Sequence, residues 1–172
     1  RRAGVQWVDA REIVQVVWTP LGPTVQWEAS RERAARLLPP RGTPATLIVT
    51  GFIARDPEGL QTTLGRNGSD VSASIFGDLL DAHEIVIWTD VDGVLSADPR
   101  RVPDATVIDS LSYHEAMELA YFGAKVIHPN TMAPAVDRAI PIFIRNTFNP
   151  GFGGTRIHLR GSSDFAVKGF AT

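Results

Sequence analysis

The chain has 172 residues, 44% of them hydrophobic and 21% charged, which suits a globular protein with a substantial core. Seventeen basic against nineteen acidic residues give a formal charge of -2, so the broad positive field that attracts nucleic acid or anionic membranes is excluded. With no cysteine and four histidines, disulfides and thiolate metal sites are excluded, and no structural zinc is expected. No apolar run approaches the roughly 18 residues that cross a bilayer. We expect a cytoplasmic protein without nucleic-acid or membrane partners.

The first half of the chain predicts short elements followed by one strong strand. In chain order these are a strand at 5–8, a helical turn from the D-x-x-E spacing at Asp9, extended chain at 14–18, a helix at 31–38 and a strand at 45–50. The strand at 45–50 is β-branched and is followed by Gly51, so we expect it to be buried in the sheet core.

A polar loop then leads into a predicted helix over residues 70–82. Val71, Ile75 and Leu79 recur at the i, i+4, i+8 spacing of an amphipathic helix, and residues 85–89 predict a second buried strand. Strand, loop, helix and strand in this order are typical of a βαβ crossover between parallel strands. Such sheets bind ligands at the carboxyl ends of their strands.

The remaining residues predict helices and strands in alternation. Ser112 and Glu115 have the S-x-x-E spacing of a capping box, which predicts a helix that runs to about residue 122 and ends at Gly123. His128-Pro129 predicts another helix start, and residues 140–145 and 156–159 predict strands on either side of a Gly-rich turn.

The loop at residues 65–70 has the composition of an anion-binding site. Its two glycines permit close backbone approach, and the guanidinium of Arg66 can hold a carboxylate through two hydrogen bonds. Asp70 lies in the first turn of the predicted helix, where free N–H groups favour anions. A lone G-x-x-G-x-D is nevertheless more common as an ordinary capped helix, so the loop by itself leaves both interpretations open.

A second loop, T-D-V-D-G at 89–93, ends the predicted strand with two carboxylates and a glycine, and a plain turn explains it about as well as a ligand site. No G-x-x-x-x-G-K-S/T occurs, so a P-loop NTPase is excluded. Arg100 follows in a D-P-R-R turn suited to phosphate, although surface arginines are the commoner explanation. Fifteen of the seventeen basic residues are Arg, so Lys125 becomes a candidate phosphate ligand because its ammonium is a compact point charge.

Three segments together resemble aspartate kinase, within the amino-acid kinase superfamily. They are T-L-G-R-N-G-S-D, W-T-D-V-D-G-V-L-S-A-D-P-R and L-S-Y-H-E-A-M-E-L-A-Y-F-G-A-K-V-I-H-P. The second is shared with relatives that phosphorylate glutamate or N-acetylglutamate, whereas F-G-A-K-V-I-H-P is largely an aspartate kinase feature. The terminal V-K-G-F-A-T, with I-R-N-T-F-N-P, is most similar to the kinase part of bifunctional aspartokinase–homoserine dehydrogenases.

The resemblance implies an α/β fold, a three-layer α/β/α sandwich with a mostly parallel sheet, present here as a partial domain. Residues 1–160 would be the C-terminal nucleotide-binding portion of the kinase domain, and 161–172 a linker and the start of an ACT-type regulatory region. The implied reaction is the ATP-dependent phosphorylation of the L-aspartate side chain to 4-phospho-L-aspartate, the first step of lysine, threonine and methionine biosynthesis. The full-length protein would be a homo-oligomer, and Mg²⁺ would be held mainly by ATP.

The resemblance also implies roles for individual residues. Arg66, Asn67, Gly68 and Ser69 would bind aspartate, Asp70 and Lys125 would be catalytic, and the nucleotide would contact Thr89, Asp90, Leu95, Arg100, Lys125 and Val126. No protein side chains are assigned as a metal site. We expect Arg66, Asp70, Asp90 and Lys125 to converge on one cleft.

Departures from the family pattern define the alternatives. The lysine-bearing K-F-G-G-T-S segment and the H-G-E loop of aspartate kinases do not occur in these residues, and position 95 is Leu where many relatives have an aromatic. We therefore expect the 172 residues alone to bind ATP weakly and not to turn over appreciably. The alternatives are a non-catalytic nucleotide-binding or dimerisation module, and a kinase for glutamate or N-acetylglutamate.

Overall fold

The structure, a computed structural model, describes residues 4–121, 128–162 and 167–169. The chain divides into two compact units, Arg1–Leu80 and Asp81–Thr172. Lys125 and Val126, two of the predicted site residues, lie outside the described residues, as does the predicted helix stop at Gly123. Within the described ranges, no helix is both long enough and apolar enough to cross a membrane.

The first unit combines a parallel strand pair with two hairpins and three helices. Its strands are β1 (Gly4–Val8), β2 (Val16–Thr19), β3 (Gly22–Val25), β4 (Ala45–Val49), β5 (Ile53–Arg55) and β6 (Gln61–Thr63). Its helices are α1 (Ala10–Ile13), α2 (Trp27–Leu37) and α3 (Gly68–Leu79). β1 pairs in parallel with β4, whereas β2–β3 and β5–β6 are antiparallel hairpins.

Local sequence explains where the helices of this unit begin and what they bury. Asp9 caps α1 by accepting a hydrogen bond from the backbone N–H of Arg11, as the D-x-x-E spacing predicts. α3 buries Ile75 completely and Phe76 almost completely, and these residues join the apolar cluster that includes Ile13. The amphipathic face predicted for this helix is therefore confirmed, with the helix beginning two residues earlier than predicted.

The second unit is built on a four-stranded sheet. Its elements are β7 (Ile85–Thr89), β8 (Ser110–Ser112), α4 (Tyr113–Tyr121), α5 (Pro129–Asp137), β9 (Ile142–Asn146) and β10 (Thr155–His158). The strand order is β7-β9-β10-β8, with β7 parallel to β9, β8 parallel to β10, and β9 antiparallel to β10. Alternate residues of these strands, such as Ile142, Ile144 and Ile157, are completely buried.

One expectation about the sheet is wrong in detail. The strand at 45–50 was expected to be buried, but Ile48 is 55% exposed. Because side chains alternate along a strand, Leu47 and Val49 pack against the apolar cluster while Ile48 points to the other face. β4 pairs in parallel with β1 and β7 pairs in parallel with β9, and the crossover expected between the strands at 45–50 and 85–89 stays a prediction.

Candidate functional site

The segment Leu64–Asp70, called the Arg66 loop, connects β6 to α3. Leu64 anchors the loop, because its side chain is buried and its N–H donates to the carbonyl oxygen of Phe52 at 2.8 Å. Gly65 then turns the chain with a φ of 73°, a conformation that side chains rarely adopt. The turn leaves the Arg66 side chain exposed, in a position to meet a ligand from solvent.

Asn67 starts α3 from a left-handed conformation, with a φ of 56°. Asparagine tolerates this conformation better than most residues, because its short polar side chain can bond locally. The Asn67 carbonyl accepts hydrogen bonds of 3.1 Å from the N–H groups of Asp70 and Val71, while its side chain makes no capping bond. The first N–H groups of a helix have no acceptor within the helix, so this end of α3 favours an anion.

Gly68 allows the helix start to pack closely against Phe52. A Cβ atom at position 68 would lie 2.6 Å from Cδ2 of Phe52 and 3.2 Å from Cβ of Leu64. Phe52 has a φ of 74°, and its N–H donates to Oγ of Ser72 at 2.8 Å. The Ser72 hydroxyl in turn donates to the carbonyl oxygen of Gly68 at 2.8 Å, so these residues fix the first turn of α3.

Asp70 is a partly buried carboxyl group in the first turn of α3. Burial raises the pKa of Asp70 above its ordinary value, and a hydrogen bond with Ser69 opposes that shift. An ionised carboxylate here is held at a cost in solvation, and a nearby cation would reduce that cost. The structure thus gathers the predicted residues Arg66, Asn67, Gly68, Ser69 and Asp70 at the start of one helix.

The segment Thr89–Val94, called the Asp90 loop, follows β7 in the second unit. Thr89 is partly buried and Asp90 is exposed. The Thr89 hydroxyl donates to Oδ1 of Asp90 at 3.2 Å, and the Thr89 carbonyl accepts a bond of 2.9 Å from the N–H of Thr147. The side chains of Thr89 and Asp90 therefore lie together where β7 ends, as the sequence predicts for a binding loop.

Two asparagines hold the second carboxylate of this loop. Oδ1 of Asp92 accepts a hydrogen bond of 2.9 Å from Nδ2 of Asn146 and one of 3.1 Å from Nδ2 of Asn149. Asn146 ends β9, and its own Oδ1 accepts a bond from the N–H of Phe148 at 2.9 Å. The Asp90 loop is therefore fastened by side-chain hydrogen bonds to the turn that follows β9.

Thr155 fixes the other end of the Asp90 loop. Its hydroxyl accepts a hydrogen bond of 2.8 Å from the N–H of Val94. Gly93 has a φ of 151°, and a Cβ atom there would lie 2.6 Å from Oγ1 of Thr155 and 2.8 Å from Cγ1 of Val107. Only glycine fits this position without a shift of its neighbours.

The other predicted nucleotide contacts lie farther along the same unit. Leu95 is partly buried and forms an isolated antiparallel bridge with Val107. Nε and Nη2 of Arg100 donate to the carboxylate of Asp98 at 3.2 and 3.1 Å, and the Arg100 side chain remains 81% exposed. Hydrogen bonds from Arg100 lower the pKa of Asp98. Arg100 is thus oriented by Asp98 and still accessible to a ligand.

In the described ranges, no group of three or more His, Cys, Asp or Glu side chains has the arrangement of a metal site. The convergence predicted for Arg66, Asp70, Asp90 and Lys125 stays a prediction, since Lys125 lies outside those ranges. The carboxylates of Asp70 and Asp90 are hard oxygen ligands of the kind that Mg²⁺ accepts beside nucleotide phosphates.

Sequence reasoning missed the residues that fix both loops. Phe52 has a positive φ, and its backbone N–H donates to the Ser72 side chain. The hydrophobic periodicity of a sequence indicates neither feature. Asn146 and Asn149 left a visible signal, because two asparagines closely follow a predicted strand, but nothing indicated that both would donate to Asp92. Thr155 was assigned only to a turn.

Comparisons with known proteins agree with this description. The model of the amino acid kinase family matches residues 5–146, so the chain belongs to that family. The bifunctional aspartokinase/homoserine dehydrogenase 1 of Zea mays chloroplasts is 46% identical over 174 residues, which cover 96% of this chain. Those residues are 19% of the plant protein, so the chain spans about a fifth of that relative's length.

Solved structures show the same relationship. Aspartokinase III of E. coli in complex with aspartate and ADP (R-state) superposes with a TM-score of 0.84 and 39% identity, over 92% of this chain and 36% of that one. Aspartate kinase of Clostridium acetobutylicum superposes with a TM-score of 0.83 and 32% identity, over 95% of this chain and 37% of that one. The predicted amino-acid-kinase-like α/β fold and the resemblance to aspartate kinases are confirmed.

Proposed function

We propose that this chain is part of an aspartate kinase, which transfers the γ-phosphoryl group of ATP to the side-chain carboxylate of L-aspartate. The observation that supports this most is the Arg66 loop, which presents an exposed guanidinium at a helix N-terminus beside a partly buried carboxyl group. The relatives named aspartokinase, and the aspartate and ADP bound to aspartokinase III, support the same substrates.

The Arg66 loop would bind the amino-acid substrate. The guanidinium of Arg66 suits a carboxylate because its donors form two parallel hydrogen bonds. The exposed side chains of Asn67 and Ser69 add polar groups, and the backbone at Gly68 approaches closely because it has no Cβ. The N-terminus of α3 favours the same negative charge.

The Asp90 loop would bind the nucleotide. Thr89 and Asp90 would contact the nucleoside, Leu95 would line the base pocket, and Arg100 would meet the phosphates from its exposed position beside Asp98. Lys125 and Val126 would complete the pocket. The exposed side chains of Asp90 and Arg100 support their roles, and the roles of the other residues follow from the family resemblance.

The reaction would depend on positioning and charge stabilisation. An oxygen of the aspartate side chain would bond to the γ-phosphorus, the bond from that phosphorus to the β–γ bridging oxygen would break, and ADP would leave. Mg²⁺ on the nucleotide would neutralise phosphate charge. Asp70 would orient a cation at the transfer site, and Lys125 would stabilise the charge on the moving phosphoryl group. No covalent enzyme intermediate is needed.

Calorimetry of the 172-residue chain tests the substrate half of this proposal. We expect L-aspartate to bind, and Arg66→Gln to weaken that binding roughly tenfold or more, because a charge-assisted hydrogen bond is lost. Mg·ADP affinity should not change. Arg36→Gln is the matched control, since Arg36 is an exposed arginine at the end of α2 in the same unit. Equal aspartate affinity in the wild type and Arg66→Gln would refute the assigned role.

A substrate panel separates the remaining possibilities. Hydroxylamine traps acyl phosphates, so it reports any phosphorylation of aspartate, glutamate or N-acetylglutamate in the presence of Mg·ATP. Preference for glutamate or its acetylated form would favour the related kinases. Binding of Mg·ADP without binding of any of the three amino acids would indicate a non-catalytic nucleotide-binding module.

We also propose a domain assignment, a cellular location and an assembly state. Residues 1–160 would be the nucleotide-binding portion of the kinase domain, and 161–172 would begin an ACT-type regulatory region. A cytoplasmic location and a homo-oligomeric full-length protein complete it. Size-exclusion chromatography with light scattering tests the assembly.

A further inference from the structure

The segment Val167–Gly169 holds a lysine that is almost completely covered. The Lys168 side chain is 8% exposed, and its Nζ lies 2.8 Å from Oε1 and 2.9 Å from Oε2 of Glu115. Lysine is seldom covered to this extent unless it is paired. Lys168 and Lys125 are the only two lysines of the chain.

The partner of Lys168 is also the residue that caps α4. Oε2 of Glu115 accepts a bond of 2.7 Å from the N–H of Ser112, and the Ser112 hydroxyl accepts one of 3.1 Å from the N–H of Glu115. This is the capping box that the sequence predicts. One carboxylate therefore both caps the start of α4 and binds the lysine, so moving Lys168 changes the electrostatics of the cap.

The same segment packs against the chain that follows the Asp90 loop. A Cβ atom at Gly169 would lie 3.0 Å from the carbonyl oxygen of Ser96 and 3.3 Å from Cδ2 of Leu119. Ser96 follows Leu95, one of the proposed nucleotide contacts, and Leu119 belongs to α4. The segment thus touches both the helix and the strand-like stretch at Leu95.

The described part of α4 reaches Tyr121. Lys168 therefore bears on the proposed nucleotide site through its neighbour Gly169, which packs against Ser96 beside Leu95, and its own ammonium binds the carboxylate that caps α4.

We infer that Lys168 is a positioning residue for nucleotide binding, which acts through its ion pair with Glu115 and the close packing of Gly169. This inference rests on the proposed function, since it concerns the same nucleotide site. Nucleotide affinity would then depend on whether Val167–Gly169 keeps its contacts with Glu115 and Ser96. A ligand or domain that displaces this segment would therefore weaken nucleotide binding without touching the nucleotide.

Lys168→Met tests the inference, because it keeps the apolar stem and removes the charge. We expect Mg·ADP affinity, measured by calorimetry on the 172-residue chain, to fall roughly threefold to thirtyfold, with L-aspartate affinity unchanged. Lys168→Arg keeps a cation within reach of Glu115 and should recover most of the affinity. Glu115→Gln removes the negative charge of the same ion pair and should also weaken Mg·ADP binding.

Arg31→Met is the matched control, because it also breaks a partly covered ion pair. Nη2 of Arg31 lies 2.6 Å from Oδ1 of Asp78, whose side chain is 4% exposed, and both residues belong to the first unit. This variant should lower the melting temperature and leave Mg·ADP affinity unchanged.

The outcomes separate this inference from the proposed function. Unchanged Mg·ADP affinity in folded Lys168→Met and Glu115→Gln, with the wild type binding normally, overturns the positioning role alone. An equal loss of aspartate and Mg·ADP affinity also overturns it, because that result indicates general loosening. A wild-type chain that binds no Mg·ADP overturns both. If Lys168→Met does not fold, the comparison of Glu115→Gln with the wild type decides.

Discussion

The Arg66 loop and the Asp90 loop are held in place by different physical means. In the Arg66 loop, the backbone is fixed by close packing, with Gly68 against Phe52 and a left-handed Asn67, while most polar side chains point to solvent. In the Asp90 loop, a carboxylate is fixed by two amide donors and the chain by the Thr155 hydroxyl. The first loop keeps its side chains free for a ligand, whereas the second uses one carboxylate internally.

The difference predicts which substitutions each loop tolerates. A loop held by packing should be sensitive to added volume and insensitive to loss of surface charge. A loop held by side-chain hydrogen bonds should also be sensitive to loss of an acceptor, because the partly buried amide of Asn146 is then left without its partner.

Gly93→Ala should have the largest effect. The new Cβ would meet both Thr155 and Val107 at less than 3.0 Å, and a φ of 151° is unfavourable for alanine. Overpacking and backbone strain together should cost about 3 kcal/mol. Thermal denaturation followed by circular dichroism measures the loss. Gly151→Ala is the control, because nothing lies within 4 Å of its Cβ position, and it should change stability by less than about 0.5 kcal/mol.

Gly68→Ala should cost less, about 2 kcal/mol. Its new Cβ would meet the Phe52 ring, and because Phe52 is 45% exposed the ring can move outward. Gly51→Ala, with only an ordinary 3.5 Å contact to Ser69, is the local control. In the double variant with Phe52→Ala, the penalty of Gly68→Ala should largely disappear. If the penalty persists, the close contact with Phe52 is not its cause.

Sequence patterns located both loops because loop position depends on local signals. The amphipathic spacing of Val71, Ile75 and Leu79 and the apolar run at 85–89 placed each loop at the end of a regular element, and the S-x-x-E spacing located the α4 cap. These features involve residues close together in the chain.

The remaining features depend on contacts between distant residues. The bonds from Asn146 and Asn149 to Asp92 span 54 and 57 residues, and Phe52, which has a positive φ, donates its N–H to Ser72 of α3. The β2–β3 hairpin was missed because Pro23 and Gly22 are typical of loops, although an edge strand can contain them. Burial of β4 was misjudged because composition does not show how many faces of a strand are covered.

Asp92→Ala should cost about 1.5 kcal/mol, because the amides of Asn146 and Asn149 both lose their acceptor. Asp92→Asn keeps an oxygen in the place of Oδ1 and should cost less than half as much. Urea unfolding of the two variants measures the difference. An equal loss in Asp92→Asn and Asp92→Ala would show that negative charge, rather than hydrogen bonding, fixes the Asp90 loop.

Asp70→Asn should have a smaller effect of the opposite sign, raising stability at neutral pH. Burial raises the pKa of Asp70, so the folded chain binds a proton more tightly there than the unfolded chain does. Stability of the wild type therefore falls as pH rises from the ordinary aspartate pKa through the raised folded pKa, and stays lower above it. Asparagine does not ionise, so the variant should escape this loss.

Unfolding in urea at acidic and at neutral pH measures that difference directly. The stability gained by Asp70→Asn should be larger at neutral pH than below the ordinary aspartate pKa. Asp104→Asn, at an exposed position, controls for the removal of one negative charge. An equal gain at both pH values would mean that ionisation of Asp70 does not cost stability. A gain confined to neutral pH would mean that the Arg66 loop keeps a carboxylate that costs stability, as expected for a group that the proposed reaction needs.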